Sequence, residues 1–205
     1  MPKDKKEGRI VVALEELKAK VKGLLSRRRW DHTLRVVEMS LEMVASLQLE
    51  IEPSKVETAA LLHDCAKDLP LGEQLKKAGH FGIVLTSSDL LCPSTLHSRV
   101  GAGMAQHEFG IRDADILQAI ALHTTGGPRM SPLAKIIFVA DYIEPGRSFP
   151  GLEKVRSLAK KELNGAVLAC MEQTLRYLLQ RGDIIHPRMI AARNYILATE
   201  NHTLL

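Results

Sequence analysis

In the stretch LLHDCAKDL, His63 and Asp64 are adjacent and Lys67 follows four residues after the histidine. An imidazole, a carboxylate and an ammonium are thus placed together in an otherwise apolar run. Neighbours on a helix point about 100° apart, so His63 and Asp64 converge on one ion only if it sits over the wedge between them. That geometry suits a metal. One helix cannot close a coordination sphere, and the remaining ligand candidates stand at helix ends or beside breaks. They are His32 after the arginine run, His97 past a Pro-Ser-Thr loop, His123 before TTGGP, and Asp141 within IIFVADYI. Asp141 is the most informative, because a carboxylate in an apolar helix is unfavourable unless paired, hydrogen-bonded or bound to metal. Alone it would read as a cap or an ion-pair partner; together with the doublet it reads as a ligand.

The other histidines invite plainer readings. His107 and His202 read as solvated, His80 as a turn residue, and His186 as a structural hydrogen bonder. Lys67, at i+4 from His63, shares its face and suits a phosphate contact or leaving-group stabiliser. It would equally suit a solvated lysine that complements a helix C-terminus. Arg147, in the loop EPGR after Asp141, has forked donors able to clamp phosphate. Thr124, Thr125 and Gly126 follow His123, where hydroxyls and free amides could meet phosphate oxygens, or where a helix could simply end in a turn. The three cysteines, Cys65, Cys92 and Cys170, are odd in number and lack CxxC spacing, which argues against a disulfide framework and a thiolate zinc site.

Helices must position these groups. Apolar residues recur at helical spacing in Val11, Leu14, Leu17, Val21, Leu24 and Leu25, and again in Leu34, Val37, Leu41, Val44 and Leu47; alternating strand patterns are absent. Pro53 opens a helix that continues through LLHDCAK to Asp68, Leu69 and Pro70. LGEQLKKAG is a short helix, TSSDLLCPS a loop, and LHSRVGAGMAQHEFG and ADILQAIALH two more helices. SPLAKIIFVADYIE is a helix delimited by Pro132 and Pro145, IEPGRSFPGL is irregular, a long helix spans roughly Leu163 to Leu179, and HPRMIAARNYILAT makes the last. The expected fold is all-α: one irregular helical bundle over residues 10–205, preceded by a basic tail at 1–9.

The 205 residues suffice for one core, and 45% hydrophobic with 25% charged residues is ordinary globular composition. No apolar run approaches a membrane span and none resembles a signal peptide, so a cytoplasmic location is expected. The net charge of +4 is uneven. Residues 1–29 hold ten basic against four acidic groups, and the rest hold eighteen against twenty. The basic N-terminal helix ending in Arg27, Arg28 and Arg29 reads as a solvated face that could draw a phosphate-rich ligand toward His32. With only eight aromatic residues, a nucleic-acid platform is disfavoured, though the basic helix leaves it open.

The segments DHTLRV, LLHDCAKD, LHSRVGA, ALHTTGGPRMSPLAKIIFVADYIEPGR and IIHPRMIAARNYIL, across about residues 28–199, resemble the HD superfamily of metal-dependent phosphohydrolases. Within it, the chain resembles the bacterial YqeK group, similar to symmetrical diadenosine tetraphosphate hydrolases. The resemblance implies an HD-type helical bundle and two divalent ions, iron expected, with manganese or zinc as alternatives. His32, His63, Asp64 and Asp141 would hold the first ion, and His97 and His123 the second, with Asp64 bridging. Imidazole and carboxylate ligands without thiolate suit any of these metals. Two ions about 3.5–4 Å apart can share a hydroxide that attacks phosphorus. Asp64 and Lys67 would then be catalytic, and Lys67, Thr124, Thr125, Gly126 and Arg147 would contact substrate. The implied reaction cuts diadenosine tetraphosphate into two ADP. The rivals are hydrolysis of a deoxynucleoside triphosphate or guanosine alarmone, or a non-catalytic nucleotide- or RNA-binding regulatory module; a homodimer stays open. Ser98 and Arg99 after His97, and Arg188 and Met189 after His186, depart from the group's usual wording without removing a ligand.

Overall fold

Strong stop and start signals cut the chain into short helices. The computed structural model describes residues 4–200, with side chains from 14 to 199; the side chain of Val11, residue His202 and the first three residues of the expected tail lie outside that description. Among the described residues there are α-helices and one 3-10 turn, without strands, as the all-α expectation requires. They are α1 (Asp4–Leu24), α2 (Arg27–Ser46), α3 (Pro53–Leu62), α4 (Leu71–His80), α5 (Ser87–Leu91), the 3-10 turn Pro93–Thr95, α6 (Leu96–His107), α7 (Ala114–Leu122), α8 (Pro132–Ile143), α9 (Leu152–Ala159), α10 (Leu163–Arg181) and α11 (Pro187–Glu200). Side-chain caps set several starts. Ser26 accepts from the Arg29 amide, Asp113 from those of Asp115 and Ile116, and Ser131 from that of Ala134 just ahead of Pro132. Gly182, at φ 70°, closes α10 with its amide on the Leu178 and Leu179 carbonyls.

Helices α2, α3, α7 and α8 pack on one another, α6 lies against α7, and α10 covers α8. One hydrophobic core runs through them, including Val36, Leu62, Val100, Ile120 and Ile137. No helix of the described residues is long and apolar enough to cross a membrane.

Three local expectations are corrected. The helix from Pro53 ends at Leu62, and residues 63–68 form turns with i→i−3 bonds, Cys65 N to Leu62 O and Lys67 N to Asp64 O. TSSDLLCPS is not a loop throughout: Thr86 and Asp89 form a capping box that starts α5, a local signal legible in the sequence. The inward stripe of α2 is Thr33, Val36, Val37, Ser40 and Met43, while Leu34, Leu41 and Val44 are only partly buried. Polar Thr33 and Ser40 on that stripe masked its register.

Candidate metal centre

Four histidines, in or just past helices, point their Nε2 atoms into one buried space, and backbone geometry explains three of them. His63 follows α3, His123 follows α7 and His97 opens α6; each Nδ1 lies on the carbonyl three residues back, Ala60 O at 2.6 Å, Ile120 O at 2.8 Å and Ser94 O at 2.9 Å. The last carbonyls of a helix lack an amide partner, so a histidine just past the end can supply its Nδ1–H. His32 lies inside α2, and its Nδ1 donates instead to Glu144 Oε1 at 3.1 Å. Glu144 is itself buried and also accepts from Arg35 Nε and the Gly146 amide.

Asp64 stands at the middle of the four. Its Oδ2 is 3.5 Å from His63 Nε2 and 3.8 Å from His32 Nε2, and its Oδ1 is 3.2 Å from His97 Nε2 and 3.4 Å from His123 Nε2. Each oxygen therefore faces its own pair of rings. Asp141 Oδ1 adds a second carboxylate 3.1 Å from His32 Nε2. Ligand atoms from His32, His63 and Asp64, from His63, His123 and Asp141, and from Asp64, His97 and His123 each cluster within 4.8 Å.

The residues fit metal. With every Nδ1 spent as a donor, every Nε2 is left a bare lone pair. Those of His32 and His63 are buried without a hydrogen-bond partner, and those of His97 and His123 lie 3.1 Å apart with no proton to share. Such a set is unfavourable unless a cation accepts the lone pairs. Charge agrees. With no cation bound, protons on those nitrogens take its part: burial pushes the Asp64 carboxyl up, but the His63 charge and hydrogen bonds from His123, His63 and His97 then hold it well below its usual range. Burial likewise raises Asp141, and the His32 ring and His63 charge overcome it. Burial brings His97 down to about 4, so its ring is neutral at pH 7.

Cations rim the same space. Lys67 Nζ is 3.4 Å from both His97 ring nitrogens, and burial, aided by repulsion from Arg29 and Arg147, lowers its ammonium from the usual value. Residues 63–68 are turns, so the Lys67 backbone closes an i→i−3 turn on Asp64 instead of continuing α3, and its side chain still reaches the centre. Arg147 Nη2 donates to Asp141 Oδ1 at 2.8 Å. Arg29, expected on a solvated face, instead turns inward and donates from Nη1 to Asp64 Oδ2 at 2.7 Å. Arg29, Glu144 and Arg35 are the residues that sequence reasoning missed.

Thr124 Oγ1 is 3.1 Å from His123 Nε2 and 3.3 Å from His97 Nε2. Thr125 and Gly126 are not brought to the cluster. Thr125 donates to the Gly126 carbonyl, and the Gly126 amide, expected to be free, closes α7 on Leu122 O. Gly126 has φ 64°, and a Cβ there would collide with Met171 in the core. Away from the centre, His186 accepts from the Arg188 amide, in keeping with a structural role, and Arg99 binds Asp89.

Residues 29–146 match the HD domain family model. The chain is 40% identical over 181 residues to the symmetrical bis(5'-nucleosyl)-tetraphosphatase of Halalkalibacterium halodurans, covering 86% of this chain and 93% of that one. It is 36% identical to the protein of the same name from Bacillus subtilis, covering 90% and 97%. Among solved structures, it superposes with a TM-score of 0.86 and 34% identity on a Clostridium acetobutylicum protein described as a predicted HD superfamily hydrolase involved in NAD metabolism, covering 90% of this chain and 97% of that one.

Proposed function

The chain belongs to the HD domain family, and from that premise we propose that it hydrolyses dinucleoside polyphosphates symmetrically, taking diadenosine tetraphosphate to two ADP through a two-metal centre. The observation that carries the two-metal reading is the division of Asp64, Oδ2 toward His32 and His63 and Oδ1 toward His97 and His123. His32, His63, Asp64 and Asp141 would hold one ion, and Asp64, His97 and His123 the other. A donor set of imidazoles and carboxylates suits iron, which we favour, or manganese or zinc. When bound, the ions supply Lewis acidity toward phosphoryl oxygens and make water acidic enough to act near neutral pH.

The chain's own groups supply placement and charge. Water adds to one central phosphorus, the central bridging P–O bond breaks, the water oxygen stays on one ADP and the bridging oxygen leaves with the other. Negative charge grows on the phosphoryl oxygens and on the departing diphosphate, where Lys67, Arg29 and Arg147 already face inward. Thr124 offers a hydroxyl beside the same rings. The four Nδ1 bonds hold the imidazoles in the tautomer that leaves Nε2 free.

The test combines product analysis with metal content. Wild-type protein should convert diadenosine tetraphosphate to ADP alone, without ATP and AMP, and a chelator should stop it. Asp64→Ala should abolish turnover and deplete both ions, because one carboxylate serves both. Two full equivalents of metal retained by that variant would refute the bridge.

A further inference from the structure

Most aromatic side chains in a small bundle are consumed by the core, and this chain has only eight. Three of them, Tyr142, Phe149 and Tyr177, line one groove of about 850 Å³ between α10 and the loop joining α8 to α9. That volume lies within the range of sites for nucleotide-sized ligands, roughly 300–1,000 Å³. Tyr177 is 57% exposed and Phe149 37%, so folding does not account for their presence there.

The groove is joined to the metal centre through Arg147. Tyr142 directly follows Asp141, and Arg147, whose guanidinium donates to Asp141 Oδ1, forms part of its wall. Its sides are held in place. Tyr142 and Phe149 meet edge to face with ring centroids 5.1 Å apart, the Tyr142 hydroxyl donates to Gln173 Oε1, and Gln173 Nε2 donates to Gly151 O, tying the loop to α10. Beyond them the Arg181 guanidinium lies 5.4 Å from the Tyr177 ring, and Arg176 adds positive charge at the rim.

We propose that this groove seats one nucleoside of the substrate, its purine stacked on Tyr177 and Phe149 and its phosphates passing Arg147 into the centre. The proposal rests on the reading of the centre as a dinucleoside polyphosphatase and adds the place of base recognition. A polyphosphate whose central bridge lies at the metals must carry its nucleoside away along a path no longer than a diphosphate and a ribose. Arg147 shares one groove wall with Tyr142, Phe149 and Tyr177, so a path leaving the centre past Arg147 meets aromatic rings. Every base has a π-face, so stacking there binds nucleosides without reading their edges strongly; adenine and guanine dinucleotides are both accommodated.

The experiment titrates ADP and inorganic pyrophosphate into the metal-loaded protein and into Tyr177→Ala, Phe149→Ala and Tyr177→Phe variants. Each alanine variant should bind ADP about tenfold more weakly, the scale of one lost base stack, while pyrophosphate binds as in wild type. Tyr177→Phe should restore wild-type ADP binding. With diadenosine tetraphosphate, the alanine variants should raise KM and leave kcat unchanged. A wild type that forms ADP, combined with alanine variants that either keep full ADP affinity or lose ADP and pyrophosphate alike, overturns the groove. A wild type that forms no ADP overturns the proposed activity, and the occupant of the groove with it.

Discussion

Replacing Glu144 by Gln is the most discriminating perturbation of the proposed centre, because it changes no proposed ligand and no cation. Oε1 of Glu144 faces His32 Nδ1 at 3.1 Å, and Oε2 receives Arg35 Nε and the Gly146 amide. Donors thus approach both oxygens, whereas an amide offers one acceptor and one NH2. If the amide oxygen takes the Oε2 position, its NH2 faces His32 Nδ1, which must give up its proton and accept. The proton then moves to Nε2 and removes the lone pair aimed at the metal. If the amide is reversed, its NH2 confronts a guanidinium and a backbone amide together, the worse conflict. The first orientation is therefore expected.

Loss of such an outer partner weakens metal binding by about ten- to a hundredfold, about 1.4–2.7 kcal/mol. The loss should be uneven. The ion proposed for His32, His63 and Asp141 should yield first to a chelator, while the one proposed for His97 and His123 persists, since their Nδ1 partners are backbone carbonyls far from Glu144. Chelator titration with metal analysis measures the two steps, and 15N spectra of the imidazoles in metal-free protein report which nitrogen of His32 carries the proton. A His32 that keeps its Nδ1 proton with both ions held at wild-type strength, or two ions lost in a single step, would refute the reasoning.

Two further outcomes are expected. Arg147→Ala should raise KM or lower kcat for diadenosine tetraphosphate by roughly tenfold, as for one lost charged hydrogen bond, with metal content unchanged by mass spectrometry; metal loss would make the arginine structural instead. Asp89 is buried, and although burial raises its carboxyl, hydrogen bonds from Thr86 and Arg99 bring it to about 2. A depressed carboxylate stabilises the fold above its unfolded value near 4 and loses that contribution as pH falls toward 2, on the order of 2 kcal/mol. Thermal melts of Asp89→Asn should lie roughly 5 °C below wild type at pH 7 and converge with it near pH 2 to 3; a gap constant across that range would contradict the linkage.

The sequence made the helices and the ligand candidates legible because both leave local marks. Caps, prolines and glycines delimit α7, α8 and α10, and the histidines read as candidates because they stand at helix ends. Arg29 and Glu144 were illegible for the opposite reason. Arg29 belongs to a basic run whose first member, Arg27, does face solvent, and only the packing of α2 against the turn after α3 brings it to Asp64. Glu144 lies 112 residues from His32 and carries no pattern that announces the pairing. Burial of Thr33 and Ser40 on α2 likewise depends on what packs against them, which hydrophobic spacing cannot report.

The contrast between His32 and the other three rings explains why a tertiary partner was needed at all. A histidine beyond the last turn of a helix finds a carbonyl without an amide partner and can fix its own tautomer, as His63 and His123 do with Ala60 and Ile120. In the second turn of α2 the carbonyls behind His32 already serve the helix ladder, so its Nδ1 proton has no local acceptor. An acceptor must then come from another element, and it must itself be held as an anion inside the protein. Glu144 meets both conditions, because burial, which would raise its carboxyl, is overcome by Arg35, the Gly146 amide and His32. The close approach of Arg35 to Gly146 follows: a Cβ at Gly146 would fall 2.6 Å from Arg35 Nη2, so a glycine there admits the guanidinium that keeps Glu144 charged. The sequence EPGR after α8 thus serves the centre through its glutamate and glycine as well as its arginine.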